Sequence, residues 1–150
     1  MVQANVTAAA VMSFTKALED DSSAFYKKMA DRWPEHEVQF TAFARDCERS
    51  KTQVTRTYQE TISDALDATF SFEGLDLDKY RPDMALPADV GYSDALRIAI
   101  DLEETAIAFY RIASEQASLL ATIPRAFNRV AKRREKRRLR LESLLADAGS

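Results

Sequence analysis

Apolar residues recur at helical spacing in four long stretches of this chain. In the first, from about Asn5 to Asp31, the positions Met12, Glu19, Ser22, Tyr26, Met29 and Trp33 fall at steps of three, four or seven and share one face. The second runs from about Pro34 to Ala68, with Phe40, Phe43, Cys47, Ser50, Val54, Tyr58, Thr61 and Ala65 on its stripe. The third starts near Ser93, a good N-cap before Asp94, and aligns Leu96, Ile100, Glu103, Ile107, Tyr110, Ala113, Ala117 and Leu120. The fourth opens at Pro124, a favoured first-turn residue, and aligns Phe127, Val130, Arg134, Arg137, Leu141 and Leu144. The pattern predicts a core resting on Phe14, Leu18, Phe25, Phe40, Phe43, Ile100, Ile107, Phe127 and Leu141.

The four stretches form two copies of one pattern. Leu18-Glu19-Asp20-Asp21-Ser22-Ser23-Ala24-Phe25-Tyr26 matches Leu102-Glu103-Glu104-Thr105-Ala106-Ile107-Ala108-Phe109-Tyr110 at Leu, Glu, Ala, Phe and Tyr, at an offset of 84 residues. Phe40 and Ala44 match Phe127 and Ala131 at an offset of 87, so the second copy carries three extra residues in its turn. A repeated hairpin implies a pseudo-two-fold four-helix bundle with equivalent residues facing one another. The expected order is hairpin 1 over about 5–69, a crossover over about 70–92 and hairpin 2 over about 93–148, in one domain spanning 1–150. The crossover holds Gly74, Pro82, Pro87 and Gly91 and is too long for an ordinary bundle turn. Its roughly 23 residues reach about 75 Å when extended, enough to run the length of a bundle.

Composition sharpens this picture. Only 3 Gly and 4 Pro in 150 residues, with much Ala, Glu, Arg and Leu, point to an all-α fold. A single cysteine excludes an internal disulfide framework. No apolar run approaches the roughly 18 residues of a membrane span. Met1 to Met12 lacks a positive n-region and is not read as a signal peptide, so the cytoplasm is the expected setting. Residues 124–142 hold nine Lys/Arg against two Asp/Glu, while the rest of the chain holds twelve against twenty-two. One helix is therefore strongly basic inside an acidic protein.

Six polar positions interrupt the apolar stripes near mid-helix: Glu19, Cys47, Ser50, Glu103, Arg134 and Arg137. The first helix of each hairpin gives one carboxylate, seven residues before Tyr26 or Tyr110, and the second gives an i, i+3 pair. That layout matches a carboxylate-bridged di-iron site, in which two helices each give a Glu and two each give Glu-x-x-His. Carboxylates bridge and neutralise the two cations, and each imidazole caps one.

On these residues the chain resembles the rubrerythrin-like branch of the ferritin-like superfamily. The resemblance covers nearly the whole chain. It rests on the paired Glu-x6-Tyr segments, on Phe40-x-x-Phe43-Ala44 and Phe127-x-x-Val130-Ala131 before the i, i+3 pairs, and on the long crossover. It implies a ferritin-like four-helix bundle, and in iron-binding members the positions of Cys47 and Arg134 would be Glu and those of Ser50 and Arg137 would be His. Here only Glu19 and Glu103 match, and a rubredoxin-type module of four cysteines is absent. The implied fold carries over; the implied peroxide reduction or iron oxidation does not.

Two buried carboxylates need counter-charge, and two guanidiniums of the fourth helix supply it. The expectation is a core salt-bridge cluster of Glu19, Glu103, Arg134 and Arg137 in place of metals, with no catalytic residue, no metal and no cofactor. A surviving iron site with a third ligand such as Cys47, or an arginine turned to the surface, stays open as an alternative. Cys47 reads as a small buried hydrophobe ahead of a redox thiolate. Tyr26 and Tyr110, which match tyrosines near the family's metal site, read as core aromatics with bonded hydroxyls. His36 reads as a surface residue of the first turn.

Lys132, Arg133, Lys136 and Arg140 share an outward side that could meet phosphates. The acidic balance elsewhere and the lack of interleaved aromatics place nucleic acid behind an acidic protein partner or self-association. The functional expectation is a rubrerythrin-like protein that has lost its di-iron centre and serves as a binding or assembly module. The alternative is a metal-dependent, iron-binding oxidoreductase of that type with an atypical site.

Overall fold

The computed structural model describes residues 6–61, 71–72, 74–117, 120 and 122–149. Four long helices dominate: α1 (Ala8–Arg32), α2 (Glu37–Thr61), α3 (Tyr92–Gln116) and α4 (Ile123–Ala148). α1 packs mainly on α2, α3 packs mainly on α4, and α2 also meets α4. The chain is an all-α four-helix bundle with one small accessory sheet. No helix among the described residues is long and apolar enough to cross a membrane.

Local chemistry sets the helix ends. The Thr7 side chain accepts from the Ala10 amide at 3.0 Å and caps α1. Pro34–His36 forms a single 3-10 turn between α1 and α2, tight enough to make them antiparallel neighbours. The α3 N-cap falls two residues before the expected Ser93. Gly91 stands at the N-cap and its carbonyl accepts from Ala95 at 2.9 Å, with no side-chain cap. Similarly, α4 starts at Ile123 and Pro124 fills its first turn. The second helix begins at Glu37 and not at Pro34, and its expected tail over 62–68 lies outside the described residues, as does Asn5.

Contacts at the two ends of the bundle fix the topology. Thr61 and Thr122 meet at 3.2 Å, while Arg140 donates to Gln39 at 2.9 Å, so α2 and α4 are antiparallel. The Trp33 and Tyr92 rings lie 5.5 Å apart, so α3 begins where α1 ends. Hence α2 and α3 run the same way, and the link between them traverses the bundle. It does so along α1. Ser71–Phe72 pairs antiparallel with Val6–Thr7, the Arg81 guanidinium sits 5.2 Å from the Phe14 ring centroid, and Arg32 donates to the Pro87 carbonyl at 2.8 Å. The crossover also holds a 3-10 turn at Leu77–Tyr80. The strand pair and this turn are additions to the expected plain connection. Strand pairing gives two short backbone segments partners that neither has alone.

The apolar core is in two parts. One gathers Val11, Phe14, Leu18, Phe109, Phe127 and Val130 toward the start of α1. The other gathers Phe25, Met29, Phe40, Leu96, Leu102 and Leu141 toward its end. Of the expected core residues, Phe14, Leu18, Phe25, Phe40, Phe43, Ile107, Phe127 and Leu141 are buried. Ile100 is only half-buried, because it lies on the flank of the inward stripe carried by Leu96, Ala99 and Leu102. His36 is half-buried rather than fully exposed: its ring stacks on Tyr92 at 4.5 Å, closing that end of the bundle.

Leu102 is wholly buried, whereas Leu139 is 58% exposed. Leu102→Ala is expected to cost about 2–5 kcal/mol in urea unfolding. Leu139→Ala is expected to stay within about 0.5 kcal/mol of the parent. Equal costs would overturn the assignment of the inward face of α3 and the outward face of α4.

Candidate functional site

Between the two apolar clusters lies a layer of buried polar side chains, one set from each helix. α1 gives Glu19 and Ser22, α2 gives Cys47 and Ser50, α3 gives Glu103, and α4 gives Arg134 and Arg137, all of them buried. Helical periodicity puts these residues on inward faces, and the shared level of the four helices brings them together.

Arg134 is the centre. Its Nη1 donates to Glu103 Oε1 at 2.8 Å, its Nη2 to Glu19 Oε2 at 2.8 Å and to Ser22 Oγ at 3.0 Å, and its Nε to Glu19 Oε2 at 3.2 Å. One planar guanidinium thus ties α4 to α3 and α1 at once, a geometry that a lysine ammonium does not reproduce. Arg137 adds a second layer. Its Nη1 lies 3.2 Å from Glu103 Oε2, and its Nη2 reaches Asp46 Oδ2 at 3.1 Å near the surface. The Arg137 guanidinium also faces the rings of Tyr26 and Phe43 at 5.7 and 5.8 Å.

The two tyrosines cross over between halves of the repeat. Tyr26, on the helix of Glu19, donates to Glu103; Tyr110, on the helix of Glu103, donates to Glu19. This exchange is the pseudo-two-fold made visible at atomic level. It leaves each carboxylate with one phenol and at least one guanidinium.

Protonation follows from these contacts. Burial pushes the Glu103 carboxyl up, but Arg134 and Arg137, with the Tyr26 hydroxyl, hold it below the usual range. Burial raises both phenols well above their ordinary value, reinforced by Glu103 beside Tyr26 and by Glu19 beside Tyr110. The Cys47 thiol is pushed up to about 12, chiefly by burial, which outweighs the two arginines. It is a neutral, fully enclosed thiol, the character of a small hydrophobe and not of a redox nucleophile. Against burial, the carboxylate Glu103 raises the Arg134 and Arg137 pKa values, so both are held charged.

Glu19, Glu103, Arg134 and Arg137 therefore converge, with Tyr26 and Tyr110 bonded to them. Ser50 is buried, and among the described residues it accepts a long contact, 3.5 Å, from Arg133. Asp46 is the participant that the stripe pattern misses. It stands next to Cys47, off the inward face, and reaches the layer only from the rim, where its side chain is 34% exposed.

The donors present do not fit a di-metal centre. Guanidiniums and phenols take Glu19 Oε2 and both Glu103 oxygens, leaving Glu19 Oε1 buried without a partner among the described residues. The α2 and α4 positions offer a thiol, a hydroxyl and two cations, so one spare carboxylate oxygen faces no further anionic or imidazole ligand. Among the described residues, no group of three or more His, Cys, Asp or Glu is placed to hold a metal ion. Comparison with family models, curated proteins and solved structures gave no match for this chain.

Two outcomes are expected. Arg134→Leu should destabilise by roughly 3–5 kcal/mol, since two buried carboxylates lose their shared partner. A loss within the error of urea unfolding would mean that the layer contributes nothing. The second concerns pH. Glu103, with its lowered folded value, contributes stability that is full above its unfolded pKa of about 4.3 and is lost as pH falls through the folded value. The raised tyrosines contribute stability that is full below about pH 10 and is lost as pH rises through their folded values. The urea midpoint should accordingly fall on both flanks of a neutral plateau. The double change Tyr26→Phe and Tyr110→Phe should flatten the alkaline flank; an unchanged flank would assign it to other groups.

Proposed function

We propose that this chain is a rubrerythrin-like member of the ferritin-like superfamily in which an ion-pair lattice stands where relatives hold two irons, and that it works as a non-catalytic binding or assembly module. The observation that carries this reading is the Arg134 guanidinium, fully buried and shared between Glu19 and Glu103. A cation already bridges the two carboxylates that would bridge metals. The traversing link between α2 and α3 supports the ferritin-like connectivity, and the reciprocal tyrosine–glutamate bonds support the duplicated hairpin. The phenols and the thiol are held neutral, Glu103 is held charged, and both glutamates are ion-paired to Arg134, which supports a structural over a catalytic layer.

The competing reading is an iron-dependent oxidoreductase using Glu19, Glu103 and Cys47. It requires both arginines to leave a closed interior and Cys47 to lose a proton held by burial, so the lattice reading is preferred. A cytoplasmic setting accords with one buried free thiol. Self-association or an acidic protein partner accords with the uneven charge, ahead of nucleic acid.

Metal analysis tests this directly. Protein purified from an iron-supplemented culture should carry no stoichiometric iron, and chelator should leave its circular dichroism and melting temperature unchanged. The combined change Cys47→Glu, Ser50→His, Arg134→Glu and Arg137→His should create ferrous binding, because six ligands would then converge. Two irons per wild-type chain, or a large drop in melting temperature with chelator, would sink the proposal.

A further inference from the structure

Away from the buried layer, α2 and α4 frame an open groove of about 690 Å³. Its walls carry five arginines: Arg45, Arg49 and Arg56 from α2, and Arg129 and Arg133 from α4. The spacing explains the convergence. Arg45, Arg49, Thr52 and Arg56 follow one another at i, i+4, i+7 and i+11 on one face of α2, while Arg129 and Arg133 stand at i and i+4 on the antiparallel α4. Thr52, Gln53 and Thr57 add neutral polar groups.

The acids nearby are committed elsewhere. Glu48, the one acidic residue among those described in the lining, is engaged by Lys27 at 3.0 Å and Ser23 at 3.2 Å, and its carboxyl is held below the usual range chiefly by the Lys27 contact, with a smaller pull from Arg45. Asp20 pairs with Lys51, Glu135 with Arg111 and Asp46 with Arg137. Among the described residues, none of the five groove arginines makes an ion pair. Five like charges on facing helices repel one another until an anion neutralises them. The bundle tolerates this because the helices are held by the core and not by the groove.

We propose that this groove is a binding site for a compact soluble anion carrying two or more phosphoryl groups. Every cation in the lining is an arginine, whose planar fork matches phosphate oxygens in pairs. The volume lies within the range of small-molecule pockets. A concave wall with cations on both sides suits a compact anion better than a flat acidic protein face. Among the described residues no aromatic side chain lines the groove, so stacked bases find no platform there. The inference goes beyond the lattice reading and stands on the groove alone; the iron measurement and the anion measurement fail independently.

Inorganic tripolyphosphate is the probe, titrated calorimetrically into the wild-type chain at about 150 mM salt, where diffuse surface attraction is largely screened. Saturable one-to-one binding is expected. The double change Arg49→Gln and Arg129→Gln, both at exposed positions, should weaken it by about tenfold or more, through loss of two charge-assisted contacts, and should hold or raise the ligand-free melting temperature, since like-charge repulsion is relieved. Lys136→Gln, on α4 but outside the groove, should leave the affinity unchanged. Tripolyphosphate should raise the melting temperature of the wild type more than that of the double variant. Absence of saturable binding, equal affinity in the groove double variant, or tighter binding of poly-glutamate or duplex DNA than of tripolyphosphate would overturn the proposal.

Discussion

The bundle is organised around one guanidinium. Arg134 is 0% exposed and donates to carboxylates on α1 and α3, and Arg137 one turn on adds Glu103 of α3 and Asp46 of α2, so that the pair ties α4 to all three other helices. The position of Arg134 also divides the apolar interior into two clusters. Such a layer contributes more to register than to stability. Desolvating two acids and two bases is costly, and their attraction roughly offsets that cost, so a well-packed apolar replacement would be close to neutral or better. Sliding one helix past another by a turn would strand a buried charge, which is far worse. The layer thus excludes alternative registers that an all-apolar stripe would tolerate.

The tyrosines extend the same logic to the duplicated halves. Each phenol bonds the glutamate of the other half; Glu103 also has Arg134 and Arg137 from its own hairpin, whereas Glu19 takes both its phenol and its guanidinium from the other. Burial raises the phenol pKa values and the arginines hold Glu103 ionised, so both phenols stay neutral and Glu103 stays charged across the neutral range. General acid–base work needs a group poised near neutrality, and the two phenols, the Cys47 thiol and Glu103 are each shifted away from it.

The α4 helix has two different roles on two faces. Inward, its arginines are matched by Glu19, Glu103 and Asp46. Toward α2, Arg129 and Arg133 meet three more arginines and no free acid. Charge that is matched inside and unmatched outside separates the cohesion of the bundle from its capacity to recruit an anion. Substitutions in the groove can then change binding without disturbing the core.

Much of this was legible in the sequence for a physical reason. Helical periodicity maps one-dimensional spacing onto faces, so the inward stripes, the two hairpins and the six interrupting positions could be read directly. Electrostatics then required that Glu19 and Glu103 find counter-charge, and Arg134 and Arg137 were the cations on matching faces. Tertiary structure alone decided the remaining pairings. Spacing does not say that Tyr26 bonds Glu103 instead of its own-helix Glu19, that Asp46 reaches Arg137 from the rim, or that Val6–Thr7 pairs with Ser71–Phe72. Nor does it say that arginines of α2 and α4 line one groove, because that depends on which helices are neighbours and in which direction they run. Those facts depend on distances between residues far apart in the chain, which periodicity along a single helix does not encode.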